Sequence, residues 1–314
     1  MCDSARLGLL AAAATTAAAL GGCGLGPGEQ PSSPVSLTVT RDFGERVVLH
    51  ERDAKVSGAD TVMRVTQRNA KVTTRFGGDF VQAISGISGG RRDGRPVDWF
   101  IYLDGILTDK GAGALRVSGG ERIWWDHHDW GLTPDVPAVV GAFPEPFRHG
   151  TVGQGPVKLQ CALPRSQACD TVAARLQRQG VDARRSVLRR RERDAALRIL
   201  VGPWKTLRDG TPEARSVDAG PKSSGVFARF GDDGASLDVL DPRGAVVKRL
   251  TDAAGLVAAT RQPGRPPVWF VTGTDAEGLA AAAGAFDEPV LRNRFAIATA
   301  DDHTLSVPLA PTHG

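Results

Sequence analysis

Residues 97–130, VDWFIYLDGILTDKGAGALRVSGGERIWWDHHDW, decide how the chain is read. The stretch holds four of the six Trp and the single Tyr. Residues 98–103 and 122–130 predict two strands joined by a glycine-rich loop. Alternate side chains of a strand share a face. Trp99, Ile101 and Leu103 therefore point one way, and Asp98, Phe100 and Tyr102 the other. In the second strand Trp124, Asp126, His128 and Trp130 share a face, with Trp125, His127 and Asp129 opposite. Two faces this bulky predict that one is core. The other is either covered or offered to a ligand.

Outward from this stretch, the 314 residues are 41% hydrophobic and 24% charged, which suits one large or two medium folded units. The net charge of +4 is mild and carried mostly by Arg, so it does not indicate nucleic-acid binding.

The N-terminus reads as a targeting segment, with Arg6 as its basic start. The apolar run 7–20 is shorter than the roughly 20 residues of a membrane span. It ends in Leu20-Gly21-Gly22-Cys23, which resembles a bacterial lipobox. Residues 1–22 are then a lipoprotein signal peptide and Cys23 the lipidated residue. Acyl chains anchor such a protein outside the cytoplasm by about 0.8 kcal/mol per buried CH₂. Residues 23–34, rich in Gly, Pro and Ser, form a flexible tether. Once Cys2 leaves with the signal, Cys161 and Cys169 remain, eight positions apart. An oxidising compartment predicts a disulfide between them.

Residues 35–41 and 46–51 predict a hairpin, 60–68 a short helix, and 71–75 and 79–84 further strands. The polar, glycine-rich stretch 86–96 predicts a loop, and residues 134–156 a docked extension and linker. Beyond a boundary near Gly150, strands are expected at 157–163, 195–202, 225–230, 236–240, 268–272, 295–299 and 305–309. Helices are expected from 168 or 169 to 179, and after a capping box at Thr274-Asp275-Ala276-Glu277. No regular βαβ repeat is evident. The fold class is α+β: a domain at 35–150 followed by a second α+β domain at 151–314.

The helix at 60–68, FVQAISG at 80–86, WFIYLDGI at 99–106 and GGERIWW at 119–125 resemble, in order, the transcobalamin C-terminal-like domain. Asp104 stands where that family usually has the Asn of an Asn-Gly turn, and Gly120-Glu121 replaces its Gly-Asp. The resemblance implies a β-grasp-like domain on a bacterial surface lipoprotein. It further implies a ligand such as cobalamin or another corrinoid, with a membrane transporter as a possible partner.

Three readings of residues 124–130 stand side by side. A metal site could pair Asp126 with His128, or His127 with Asp129. It needs third and fourth ligands, and His50, His149, His303 and His313 make no motif with them. A ligand platform would stack a flat molecule on exposed rings, with Asp and His fixing its orientation. The third reading is core and interdomain packing. The expectation adopted is the platform, formed by Trp99, Tyr102, Trp124, Trp125, Asp126, His128 and Trp130, with no metal and no cofactor. The rival is a structural or protein-interaction lipoprotein, separated from it by the exposure of the aromatic face.

No enzymatic constellation emerges. Gly86-Ile87-Ser88-Gly89-Gly90 matches a nucleophile string, but the polar residues 91–96 cannot open the helix that an elbow requires. As a basic loop it could still lie against a phosphate or carboxylate. The run RRSVLRRRER at 184–193 suits a solvated edge or contact with anionic lipid.

Overall fold

The computed structural model describes residues 33–56, 60–75, 80–150, 155–189, 196–301 and 303–310. The signal segment, Cys23 and most of the tether lie outside the described residues. So do Gly77-Gly78, residues 190–195 and His313.

The first unit opens with the hairpin β1 (Ser36–Arg41) and β2 (Arg46–Glu51). Helix α1 (Val62–Asn69) follows, started by Thr61, whose hydroxyl accepts from the Arg64 amide at 3.4 Å. Its buried stripe is Val62, Met63, Val65 and Thr66. A small side sheet joins β3 (Val72–Arg75), β4 (Phe80–Ile84) and β5 (Ile87–Ser88). Then come β6 (Gly90–Arg92), β7 (Arg95–Leu103), β8 (Ile106–Leu107) and β9 (Arg122–Asp129). The main sheet runs β2-β1-β9-β7-β6, with β8 paired to β7. Strands β1 and β9 are parallel, and the other pairs antiparallel.

Two strands therefore lie within the stretch read as a loop at 86–96. The missed signal is Asp93-Gly94, at φ 51° and 75°, between the paired Arg92 and Arg95. A two-residue Asp-Gly connection of this kind turns a tight hairpin.

The second unit holds a seven-stranded sheet ordered β11-β10-β12-β17-β16-β18-β19. In chain order its elements are β10 (Gly155–Cys161), α2 (Gln167–Arg178), β11 (Ala183–Val187) and β12 (Ala196–Pro203). Next are α3 (Trp204–Gly210), α4 (Pro212–Asp218), α5 (Pro221–Ser224) and the small sheet β13 (Ala228–Phe230), β14 (Leu237–Leu240), β15 (Val246–Leu250). The chain ends with β16 (Gly255–Thr260), β17 (Val268–Gly273), α6 (Ala276–Ala285), α7 (Glu288–Leu291), β18 (Ala296–Ala300) and β19 (His303–Val307).

The architecture is mixed α+β, as expected, but strands β11, β10, β12 and β17 run parallel. β10, α2 and β11 make one parallel crossover unit, which the sequence reading did not single out. Buried strands carry no alternation to announce their direction. The short helices α3–α5 and α7 and strands β15 and β16 were not foreseen. The cap of α6 also differs: Asp275, not Thr274, accepts from the Gly278 amide at 2.7 Å. The expected disulfide joins the end of β10 to the first turn of α2, with Cys161 and Cys169 Cα atoms 6.1 Å apart and both residues buried. No helix among the described residues is long and apolar enough to cross a membrane.

The segment 131–150 leaves β9 and lies on the second unit. Phe143 sits 4.7 Å from Phe286 and Phe147 4.9 Å from Trp269, ring centre to ring centre. The Val140 amide donates to the Phe295 carbonyl at 3.1 Å. Gly141 is required there, since a Cβ would fall 2.6 Å from the Arg294 nitrogen and 2.8 Å from the Trp124 ring.

Candidate functional site

Strands β7 and β9 pair in the register Trp99 to His127, Ile101 to Trp125, Tyr102 to Trp124 and Phe100 to Asp126. Directly opposed residues share a face, so the alternation read from the sequence holds. One face lies under α1. There Trp125 donates from Nε1 to Thr66 Oγ1 at 2.9 Å, and that hydroxyl donates to the Val62 carbonyl at 2.7 Å. Trp99 donates to the Ile87 carbonyl at 3.0 Å.

The other face is covered by the second unit. Phe295, from the turn before β18, stands 5.5 Å from Tyr102, 5.4 Å from Trp124 and 5.4 Å from His128, edge-on to each. His128 is stacked between Phe43 at 4.5 Å and Phe100 at 4.2 Å. Phe227 closes on Phe43 at 5.2 Å.

Of the seven residues assigned to the platform, Trp99, Tyr102, Trp124, Trp125, Asp126 and His128 are all buried, and only Trp130 is exposed, at 39%. The set is also divided between two faces. Trp99 and Trp125 join the core under α1, while Tyr102 and Trp124 belong to the core shared by both units. A stacking surface needs an open ring face, and the buried six offer none. The sequence showed two apolar faces but could not show that Phe227 and Phe295, over 90 residues further on, cover one of them.

Asp126 is the polar centre of this seam. It is fully buried, and its Oδ2 accepts from Thr40 Oγ1 at 2.5 Å and the Gly44 amide at 2.8 Å. Its Oδ1 accepts from the Phe43 amide at 3.1 Å and lies 2.8 Å from His128 Nδ1. Thr40 Oγ1 in turn accepts from Trp124 Nε1 at 2.7 Å. Asp42, Phe43 and Gly44 have φ of 60°, 59° and 83°, and this left-handed turn aims two amides at the carboxyl group. The same turn delivers the Phe43 ring to the second unit. Tyr102 is buried without a partner for its hydroxyl, and burial, followed by Asp126 and Asp135, raises its pKa well above the usual value.

Two clefts open at the border of the units. The first, about 390 Å³, is lined by Arg41, Arg46, Arg92, Arg95 and Arg243 facing Asp42, Glu45, Asp93, Asp129 and Asp241. Its charges are largely matched: Asp42 lies 3.6 Å from Arg41 and 2.5 Å from Arg92, and Asp129 is paired with Arg95. Arg92 and Arg95 come from the basic stretch singled out in the sequence.

The second cleft, about 530 Å³, lies beside β1 and includes His50, Arg52, Arg122, Arg148, His149 and Arg292, with Glu145 and Glu288. No local pattern announces this gathering, since its members come from β2 and the residue after it, β9, the 131–150 segment, α7 and the turn after α7. Arg122 reaches Glu288 at 3.0 Å and the Phe143 carbonyl at 2.9 Å. The His149 ring lies over Gly120, where a Cβ would fall 2.5 Å from it. Burial lowers the His50 pKa, and the positive field of Arg292, Arg52 and Arg122 lowers it further. No group of His, Cys, Asp and Glu among the described residues could hold a metal ion. Ser88 lies in β5 and is followed by β6, so the helix a nucleophile elbow requires is absent there.

Near this cleft Asp104 turns the chain at φ 53°, its Oδ1 accepting the Arg122 amide at 2.8 Å. Burial, with Glu145 and Glu121 nearby, raises its pKa from 3.8 to about 8 against the pull of that hydrogen bond. The folded chain therefore keeps a proton that the unfolded chain releases between those values. Stability falls as pH rises through this window and levels off above it. Asp104→Asn keeps the acceptor and suits a left-handed turn. Urea midpoints at about pH 5 and about pH 8.5 are expected to differ less for Asp104→Asn than for the wild type. An equal pH slope in both proteins would count against the buried proton.

Residues 59–129 match the model of a family described as a domain of unknown function (DUF4430). The match runs from just before α1 through the end of β9, taking in the helix, the side sheet and the aromatic strands. No curated protein and no solved structure matches the chain.

Proposed function

We propose that the chain is a lipid-anchored protein outside the cytoplasm that captures a small polar ligand, without chemical change, at the border of its two units. The observation that carries this is the second cleft, with its four arginines and two histidines drawn from separate elements. Its volume falls within the range of small-molecule sites. The lipobox at Cys23 and the disulfide Cys161–Cys169 support the location. We assign the first unit to the β-grasp type: the order β2-β1-β9-β7, with a parallel central pair and α1 on one face, supports the resemblance to transcobalamin-like domains. A membrane importer is the natural recipient of a captured ligand.

Corrinoid capture on the aromatic strands has less support, because the rings are buried. Calorimetric titration of the chain from Gly24 with cyanocobalamin and cobinamide is expected to be flat. Saturable binding weakened by Trp124→Ala would restore the stacking reading and require the units to part. A thermal-shift panel of small carboxylates, sugar acids and phosphate esters is expected to give at least one stabilising ligand. In cells, Cys23→Ala should move the protein from the membrane to the soluble fraction. The buried seam favours a second reading, a structural or interaction lipoprotein, which would lead if the whole panel leaves the melting temperature unchanged.

A further inference from the structure

We propose that the second cleft is a phosphate site, and that the anchor holds it over the anionic headgroups of its own membrane. The proposal rests on the ligand-capture reading and names the chemistry of the same cleft. Four guanidinium groups face two carboxylates there, and both carboxylates are engaged. Glu145 accepts the His149 amide at 3.1 Å and lies 2.8 Å from its Nδ1. Glu288 is 3.0 Å from Arg122 and 3.6 Å from Arg292. Arg52 has no ion-pair partner among the described residues. Among the described residues, Arg148 donates to the backbone and side-chain oxygens of Gln179, at 3.0 and 3.3 Å, and to no carboxylate. The cleft therefore carries surplus positive charge, and Arg52 presents a guanidinium with no ion pair among the described residues.

Guanidinium groups arriving from several directions suit a group that presents several oxygens around one centre, as phosphate does. The volume exceeds what a phosphate fills and leaves space for a small polar body. Ser36, Thr38 and Asn293 line that space. A glycerol phosphate has this chemistry, either free or as the headgroup of a lipid.

Position argues for the lipid. Ser33 and Pro34 form part of the cleft wall. Ser33 is ten residues after Cys23. Ten residues span at most about 35 Å fully extended, roughly one bilayer thickness. An anchored Cys23 thus keeps the cleft close to the headgroup layer, where Lys and Arg are each worth about 1 kcal/mol toward anionic lipid.

The test has two arms, both using the chain from Gly24. In the first, glycerol phosphate is titrated calorimetrically. In the second, the protein is sedimented with vesicles of phosphatidylglycerol and phosphatidylcholine, and separately with pure phosphatidylcholine. Saturable binding in the first arm and sedimentation only with the anionic vesicles in the second are expected. The double substitution Arg52→Gln with Arg292→Gln, on exposed side chains, should weaken both at least about tenfold. Arg46→Gln with Arg243→Gln, in the other cleft, should leave both unchanged. Equal losses in the two double variants would show general attraction of a basic protein and overturn the site. Glycerol phosphate binding without vesicle binding would overturn the lipid source and assign a soluble phosphate ester. No binding in either arm would overturn the phosphate site, while the wider ligand panel would still decide the capture reading.

Discussion

Asp126→Ala is expected to cost about 3–5 kcal/mol of stability, the range for removing one partner of a buried polar cluster. Four groups lean on this carboxyl: the Thr40 hydroxyl, the Phe43 and Gly44 amides, and the His128 ring. Each buried donor left without an acceptor costs about 1–3 kcal/mol before relaxation. The turn at residues 42–44 adopts left-handed angles at three successive positions, and Asp126 holds it there. Asp126→Asn keeps one oxygen but turns an amide group toward a donor, so a smaller loss of about 2 kcal/mol is expected. Urea unfolding gives the comparison. Hydrogen exchange at the Phe43 and Gly44 amides should accelerate in the alanine variant even under native conditions. Unchanged exchange there, whatever the global loss, would mean that the turn holds itself without Asp126.

The second large effect is expected from Phe295→Ala. Large aromatic-to-alanine changes in a core cost about 3–5 kcal/mol. Phe295 is only 3% exposed and touches four rings of the first unit: Phe43, Tyr102, Trp124 and His128. Its removal takes the central contact out of the border between the units. Thermal unfolding by calorimetry is expected to show a single transition for the wild type and a broadened or split one for the variant. Val290→Ala, a half-buried change within the second unit, serves as the comparison. A single sharp transition shifted no more than that of Val290→Ala would show that the seam contributes little to coupling.

Much of the first unit was legible because its signals are local. The apolar stripe of α1 and the assignment of alternate residues of β7 and β9 to opposite faces each follow from a few neighbouring residues. The disulfide followed from compartment and count. What stayed hidden depends on distant partners. That Tyr102 and Trp124 are covered depends on Phe227 and Phe295. That His50 lies near His149 depends on β2 and the 131–150 segment converging beside β9. The parallel pairing of β10 with β12 was obscured for another reason: β12 is a nearly continuous buried run, and the alternation of β10 shows its faces but not the direction of its neighbour. The Asp93-Gly94 hairpin was local and readable, but the surrounding arginines masked it as a polar loop.

The first strand after the tether sits in the middle of its sheet, between β2 and β9, and not at an edge. It lies parallel to β9, the strand that leads into the second unit. Tension between a fixed lipid anchor and a load on the second unit would therefore pull β1 and β9 lengthwise in opposite directions. In that geometry the hydrogen bonds of the ladder are strained together in shear, not peeled one at a time. Under the proposed anchoring at Cys23, the first unit would behave as a mechanical clamp, loaded along its strands and not across them.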